Sequence, residues 1–170
     1  MLFRSEIEHT VTPSLLDRLT DDAPRVSIDA PMTRAESERA YRRCVERDVE
    51  DLLNTRRTMF PAPDALAEVR HSVYDYGLID TTGIPVGTAD GRDTLLAALR
   101  DAIVRFEPRL AETRVRLLEA NQGSAPQLRF VVEAVLLMER ERQQVVFDTV
   151  LEVASGEYDV HDSAATSGSL

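Results

Sequence analysis

Hydrophobic residues recur at helical spacing in two long stretches of this 170-residue chain. Thr33 and Glu36 form a capping-box pattern, which predicts that the first helix begins there. One face of that helix would carry the apolar residues Tyr41, Val45, Val49, Leu52 and Leu53. The second stretch carries the apolar residues Leu95, Leu96, Leu99, Ala102, Ile103 and Phe106. Asp90 precedes it and is expected to cap it. The pattern therefore predicts two long amphipathic helices.

Beyond residue 108 the apolar period shortens from about 3.6 to about 2 residues, which is typical of strands. Three such segments lie at 113–117, 128–137 and 145–153, and a short fourth segment is an option at 158–160. Because the links between them are short, we expect an antiparallel meander. The predicted fold class is α+β, with a meander of three or four strands and the two long helices packed on one face. Both outer edges of that sheet are expected to be open.

The segment between the two helices contains less regular patterns. Residues 64–73 could form a short helix with Leu66, Val69 and Val73 directed inward. The glycines between residues 77 and 91 predict a loop, and their spacing does not match a dinucleotide or phosphate fingerprint.

The junction between the second helix and the first strand contains Glu107, Pro108 and Arg109. Pro108 has no backbone N–H and pushes Glu107 out of the helical region, so the helix should end at Phe106 or Glu107. Arg109 presents a planar fork of donors suited to a carboxylate, either that of Glu107 or an acidic group on a partner. The alternative is a local ion pair within the turn that has no functional role.

Two further clusters are candidates for partner contacts. Leu15, Leu16 and Leu19 would gather on one side of a short helix, which is too short to be stable unless it docks on its own domain or on another subunit. Arg56 and Arg57 follow the first long helix. They could complement the negative end of its dipole or contact an acidic partner.

The charge balance limits the classes of partner. With 30 acidic and 20 basic residues, the net charge of −10 should repel nucleic acids and anionic membranes. No apolar run is long enough to span a bilayer, and the N-terminus lacks a signal-peptide pattern. The single cysteine, Cys44, excludes an internal disulfide and fits a reducing compartment, so the cytoplasm is the expected location.

The sequence contains little recognisable enzyme chemistry. All 20 basic residues are arginine, and the lack of lysine excludes a Walker-type phosphate loop and Schiff-base catalysis. The three histidines lack zinc-ligand spacing, and no serine has the Gly-x-Ser-x-Gly context. We therefore expect neither a metal nor a cofactor. A glycosidase would need two carboxylates across a cleft, and the sequence alone does not place any such pair.

Four stretches, in their order and spacing, resemble the baseplate wedge family of contractile injection machines. They are Pro13–Leu19, Arg47–Arg57, Ser72–Leu78 and Phe106–Leu110. The resemblance is to the TssE branch of that family, which belongs to bacterial type VI secretion systems. It implies a structural subunit without catalytic activity that docks the contractile sheath on the baseplate wedge and initiates sheath polymerisation. Phage relatives were labelled lysozyme-like, so a peptidoglycan-cleaving enzyme is the alternative.

The resemblance also implies roles for particular residues and partners. Glu107, Pro108 and Arg109 would help to seat the first sheath ring, and a free sheet edge would accept strands from sheath subunits. Partners would be the wedge proteins TssF, TssG and TssK and the sheath proteins TssB and TssC, at the baseplate on the inner membrane. We further expect the N-terminal leucines and the Arg56–Arg57 corner to face other wedge proteins.

The expected domain organisation has three parts. Residues 1–32 would form an N-terminal arm with the short amphipathic helix, and residues 33–154 a wedge domain similar to the strand-exchanging handshake region of the sheath subunit. Residues 155–170 would form a flexible C-terminal tail.

Overall fold

The computed structural model describes residues 10–20, 25, 32–60, 62–63, 65–81, 83–121, 127–139 and 141–163. Much of the predicted arm, and residues 164–170 of the predicted tail, lie outside this described part. The chain divides into two compact units, Met1–Val45 and Glu46–Leu170, and the boundary falls within a helix. Among the described residues, no helix is long and apolar enough to cross a membrane.

The first unit contains helix α1, Leu15–Leu19, and the first half of helix α2, Arg34–Asn54. The hydroxyl of Ser14 accepts the Asp17 N–H at 3.3 Å and caps α1. The predicted capping box of α2 is confirmed, since Glu36 Oε2 accepts the Thr33 N–H at 2.8 Å and Thr33 Oγ1 accepts the Glu36 N–H at 3.3 Å. The hydrogen bond from the Thr33 backbone holds the pKa of Glu36 below its usual value.

The second unit contains the rest of α2, helix α3 and a four-stranded sheet. Helix α3 spans Ala89–Phe106, and the strands are β1 Leu110–Asn121, β2 Gln127–Leu137, β3 Arg142–Glu152 and β4 Glu157–Asp162. Their order in the sheet is β1-β2-β3-β4, and every neighbouring pair is antiparallel. The predicted α+β fold with an antiparallel meander is therefore confirmed, and β4 corresponds to the short fourth segment.

One face of the sheet forms the core of the second unit. Every second residue of β2 is buried there: Leu128, Phe130, Val132, Ala134 and Leu136. The register sets Val132 directly opposite Phe147 of β3, so apolar side chains meet across the strands. The helices contribute the buried residues Val49, Leu52, Leu53, Leu95, Leu99 and Ile103. The helical and strand periods read from the sequence thus identify most of the buried positions, whereas five of the predicted inner residues of these elements are only half-buried: Leu96, Phe106, Val115, Leu117 and Val153.

The short helix expected at 64–73 is wrong. Among the described residues of this stretch, 65–73, only one 3₁₀ turn forms, Val69–His71, and Leu66 and Val73 are exposed rather than directed inward. A single turn fixes several backbone angles for few hydrogen bonds, so it needs tertiary packing that these side chains do not make.

The predicted cap of α3 is also wrong. The helix begins at Ala89 and its N-cap is Thr88, whose hydroxyl accepts the Gly91 N–H at 3.1 Å. Asp90 lies in the first turn instead. Thr88 has the extended backbone that an N-cap requires, with φ −100° and ψ 157°, and its hydroxyl also donates to Pro85 O at 2.9 Å.

Candidate functional site

The candidate site is built around the turn that joins α3 to β1. Helix α3 ends at Phe106, and the C-cap residue Glu107 donates its backbone N–H to Ile103 O at 2.8 Å. The Leu110 N–H then bonds to Glu107 O at 3.1 Å and closes the turn. The end of the helix predicted from Pro108 is therefore confirmed, and β1 begins only three residues after the C-cap.

Arg109 joins this turn to α2. Its Nε donates to Glu107 Oε1 at 2.6 Å, and its Nη2 forms an ion pair with the second carboxylate oxygen of Glu107. Nη2 also lies 2.6 Å from Asp48 Oδ2 on α2. The Arg109 backbone N–H donates to Glu107 Oε1 at 3.1 Å. Glu107 is thus an intrachain partner of Arg109, and the sequence analysis missed the second partner, Asp48.

The electrostatics of this cluster keep Arg109 charged. Burial alone would lower the pKa of Arg109, but the hydrogen bonds and charges of Glu107 and Asp48 outweigh it and raise that pKa. The Glu107 side chain is only 5% exposed, and both of its carboxylate oxygens pair with Arg109. Pro108, by contrast, is exposed at the tip of the turn. Glu107 and Arg109 therefore hold the turn in place, and Pro108 is the member that faces outward.

A second charge cluster contains Arg105, which lies in the last turn of α3, and the buried carboxylate of Asp75. Asp75 is buried, and its Oδ2 lies 3.0 Å from Arg105 Nη1 and 3.9 Å from Arg57 Nη1. Arg105 also pairs with Asp101 at 2.5 Å. Arg57, predicted to contact a partner, is half-buried and neighbours Asp75. Arg56 is exposed and lines a cleft of about 680 Å³ beside β4, whose other lining residues include Glu50, Glu152, Glu157 and Asp159.

Backbone pairing fastens the segment after α2 to the segment before α3. The Arg57 N–H donates to Leu78 O and the Leu78 N–H donates to Thr55 O, both at 2.8 Å. Gly77 adopts a positive φ of 103° in this contact, and a Cβ there would lie 2.4 Å from Thr55 O. The Tyr76 ring packs edge-on against Phe106, with ring centroids 5.3 Å apart. Part of the stretch Ser72–Leu78 is thus a brace for the end of α3.

Exposed apolar side chains occur in both units. Leu15, Leu16 and Leu19 are 70%, 67% and 75% exposed in the first unit. In the second unit the sequence analysis missed Met59 and Phe60, which are also strongly exposed. The Tyr74 hydroxyl donates to Phe60 O at 2.9 Å and ties that loop to the segment around Val73. These surfaces are available for contacts, although no periodic pattern in the sequence marks the second of them.

Polar side chains of α2 occupy the outer edge of β4. Asn54 makes two hydrogen bonds with the Tyr158 backbone, accepting its N–H at 2.9 Å and donating to its carbonyl at 2.8 Å. Glu46 accepts the Asp162 N–H at 3.1 Å, and Glu50 lies 3.5 Å from the Val160 nitrogen. We call Glu46, Glu50 and Asn54 the edge ladder. The expectation that both sheet edges are open is therefore wrong for β4.

The spacing of the edge ladder follows from the rise per residue of a helix and of a strand. Four residues of a helix rise about 6 Å, and two residues of a strand span about 6.6 Å, so side chains at i, i+4 and i+8 of α2 match alternate N–H groups of β4. On β1, the other edge strand, a single described side chain from outside the sheet bonds to the backbone, with Arg100 Nε 3.4 Å from Thr113 O.

The described residues contain no group of three or more His, Cys, Asp or Glu side chains placed to hold a metal ion. What the site offers is a braced turn, exposed apolar side chains and one sheet edge without an edge ladder. These are features of a surface for protein contacts.

Residues 39–141, more than half of the chain, match the family described as baseplate wedge protein gp25. No curated protein and no solved structure gives a significant match. The matched range includes the end of α3, the braced turn, β1 and β2.

Proposed function

This chain belongs to the baseplate wedge protein gp25 family, a family of structural proteins, and we propose that it serves in the baseplate of a type VI secretion system. In this proposal it docks the contractile sheath on the baseplate wedge and initiates sheath polymerisation. The observation that carries the proposal is the fixed turn at Glu107, Pro108 and Arg109, which sets the start of an edge strand against α2.

The contacts of the turn indicate how each of its three residues contributes. Glu107 and Arg109 satisfy each other within the chain, so they act by positioning β1 rather than by reaching toward the sheath. Pro108 ends α3 and is exposed at the lip of the sheet. Docking would then use backbone pairing along a sheet edge whose direction the turn determines.

The proposed partners are of two kinds. The sheath proteins TssB and TssC would meet the sheet edge, and the wedge proteins TssF, TssG and TssK would meet other surfaces. Leu15, Leu16 and Leu19 are exposed as a wedge contact requires. Of the arginine pair only Arg56 is exposed, so we assign the partner contact to Arg56 and a bracing role to Arg57 beside Asp75. The proposed location is the cytoplasm, at the baseplate that is associated with the inner membrane.

Sheath assembly in the producing bacterium tests this function. Replacing Glu107 and Arg109 together by alanine removes the two-point ion pair and should abolish most sheath polymerisation, scored by fluorescence microscopy of a tagged sheath protein. The matched control replaces Arg34 and Glu38 by alanine, a partly exposed ion pair one turn apart on α2 and outside the docking strand, and should leave assembly unchanged. Normal assembly in the first variant would contradict the proposal.

A third variant separates turn geometry from charge. Pro108→Ala keeps both charged residues but removes the ring that ends α3, so it should reduce sheath assembly while leaving the protein folded by circular dichroism. We infer in addition that the protein acts without catalysing a reaction. Purified protein that cleared peptidoglycan, at a rate abolished by one carboxylate substitution, would contradict that inference.

A further inference from the structure

We propose that β1 is the sheet edge that receives the partner strand, at Arg114–Leu117, and that this strand alternates apolar and acidic side chains. The inference rests on the proposed docking function and specifies its contact surface and the chemistry of the segment that binds there. Three observations support it: the edge ladder on β4, the alternation of backbone groups across the sheet, and the side chains that β1 carries on its two faces.

The edge ladder removes β4 as an acceptor. The outward N–H groups of Tyr158 and Asp162 already have side-chain acceptors at 2.9 and 3.1 Å, and the outward carbonyl of Tyr158 already accepts from Asn54. An incoming strand would have to displace these side chains before it could pair. β1 is the remaining edge strand, and Arg100 makes only one long contact with its backbone, at Thr113 O.

Alternation across the sheet identifies the outward backbone groups of β1. The Leu137 N–H donates to Arg109 O, so the odd-numbered residues of β2 bond to the first strand. Arg114 and Arg116 lie opposite Glu133 and Val131, and they use their backbone groups inside the sheet.

Val115 and Leu117 lie between these bonded positions, so their N–H and C=O groups point outward. In an antiparallel sheet, residues along a strand bond alternately to the strand on either side. Following the register from β2 through β3 to β4, the backbone N–H and C=O groups that point away from the sheet are those of Tyr158, Val160 and Asp162. The side chains of the edge ladder contact the backbone N–H groups of the same three residues, which independently supports this assignment of outward groups.

Two irregularities limit the receptive stretch. The pairing of β1 with β2 shifts between Ala111 and Arg114 and again between Leu117 and Glu119, and Glu112 has a positive φ of 54°. Bulges of this kind shorten the regular part of an edge strand and limit indiscriminate pairing. Arg114–Leu117 is the regular stretch between them, so the partner strand is expected to pair over about four residues.

The side chains of this stretch define the partner's chemistry. Val115 and Leu117 lie opposite Val132 and Phe130 on the core face, and both are only half-buried. Apolar side chains on an added strand would lie beside them and complete their burial. Arg114 and Arg116 are exposed on the other face, where Arg116 already pairs with Glu133 of β2. Acidic side chains on an added strand would lie beside both arginines on their open side. A basic pair at an open edge is distinctive in a chain with a net charge of −10.

A peptide probe tests the chemistry. The full-length protein is titrated with a fluorescently labelled eight-residue peptide of alternating valine and glutamate, and with a second peptide carrying lysine in place of glutamate. We expect about tenfold tighter binding of the glutamate peptide at low salt, and at least tenfold slower hydrogen exchange at the Val115 and Leu117 amides when it is bound. Equal binding of both peptides, or protection at β4 instead, would overturn the inference.

A charge-reversed variant tests the edge without disturbing the core. Replacing Arg114 and Arg116 by glutamate should reverse the preference between the two peptides. Arg142→Glu, an exposed residue at the start of β3, is the matched control and should leave the preference unchanged.

Retention of the sheath separates this inference from the proposed function. Immobilised wild-type protein that fails to retain the TssB–TssC pair would contradict the proposed function, whatever the peptide results. Wild-type protein that retains the pair, together with an Arg114→Glu, Arg116→Glu variant that retains it equally well, would overturn the β1 assignment alone. If the Arg114→Glu, Arg116→Glu variant retains at least tenfold less of the TssB–TssC pair than Arg142→Glu does, the result supports both the proposed function and the β1 assignment.

Discussion

Arg109 is the residue on which the junction between α3 and β1 depends, because it neutralises a carboxylate that the fold buries. In Arg109→Ala the Glu107 side chain, only 5% exposed, loses its two-point partner. We expect the free energy of unfolding to fall by about 3 kcal/mol, measured by urea denaturation. Arg116→Ala breaks a more exposed Arg–Glu pair and should cost less than about 1 kcal/mol. Equal losses in the two variants would contradict the assigned role of Arg109.

Gly77 is a second position where one residue determines local structure. Its φ of 103° strains any side chain, and an added Cβ would lie 2.4 Å from Thr55 O. Gly77→Ala should therefore lower the free energy of unfolding by roughly 1–3 kcal/mol or more, seen as a lower thermal midpoint. At Gly83 an added Cβ would meet no atom within 4 Å, so Gly83→Ala should change stability by less than about 1 kcal/mol. A midpoint unchanged in Gly77→Ala would argue against the brace.

Tyr158 provides a pH dependence with a definite sign. Burial raises its pKa from 10.0 to about 12, so the folded state holds the phenolic proton more tightly than the unfolded state. That contribution is fully present below pH 10 and is lost as the pH rises through about 12, which amounts to roughly 2–3 kcal/mol. The loss should appear in alkaline unfolding followed by tyrosinate absorbance.

The chain contains neither lysine nor tryptophan, so tyrosines dominate both the titration and the absorbance in this pH range. Tyr158→Phe is the control for the pH effect, because it keeps the ring and removes the ionisable hydroxyl. Its stability should decline less steeply above pH 10. An unchanged pH profile would mean that Tyr158 does not control alkaline unfolding.

At the scale of helices and strands, local sequence predicted most of the architecture. Periods of about 3.6 and about 2 residues located α2, α3 and three strands, since each long element must bury one face. Pro108 predicted the end of α3 because its effect is covalent and local. Two predictions failed for local reasons. Thr88 rather than Asp90 caps α3, and the side chains of residues 65–73 bury too little surface to stabilise a helix.

Asn54 shows how α2 stabilises β4. Its side-chain amide pairs with the Tyr158 N–H and carbonyl much as a neighbouring strand would. Asn54→Leu keeps a similar size but removes both the acceptor of the Tyr158 N–H and the donor to its carbonyl, so it should cost about 1–3 kcal/mol and speed hydrogen exchange at the Tyr158 amide. Glu50→Gln alters a longer contact of 3.5 Å and should cost less than about 1 kcal/mol. Similar exchange rates in wild type and Asn54→Leu would show that α2 does not protect this edge.

For the whole molecule, what the sequence could not predict are contacts between residues far apart in the chain. Asp48 meets Arg109 across 61 positions, and Asn54 meets Tyr158 across 104. Acidic residues are so common in this chain that no local pattern distinguishes Asp48 or Glu46 from their neighbours. The choice between the two sheet edges depends on these contacts. The position of the turn was therefore predictable, but its partners and the receptive edge were not.

The number of open edges determines what the whole molecule can assemble. With β4 occupied by the edge ladder, the protein offers one edge and can pair with one strand. Replacing Glu46, Glu50 and Asn54 by alanine should open β4 as well, and a chain with two acceptor edges can link head to tail into open-ended assemblies. We expect concentration-dependent association of this variant, measured by light scattering, where the wild type remains dispersed.

The matched control carries the same number of alanines at the same spacing on α2, at the exposed positions Arg39, Arg43 and Arg47. It should remain dispersed like the wild type, because it leaves the β4 edge covered. The edge-ladder variant keeps 28 of the 30 acidic residues and so retains most of the charge repulsion of the wild type. If the edge-ladder variant also remained dispersed, the occupied β4 edge would not be what limits this protein to a single strand contact.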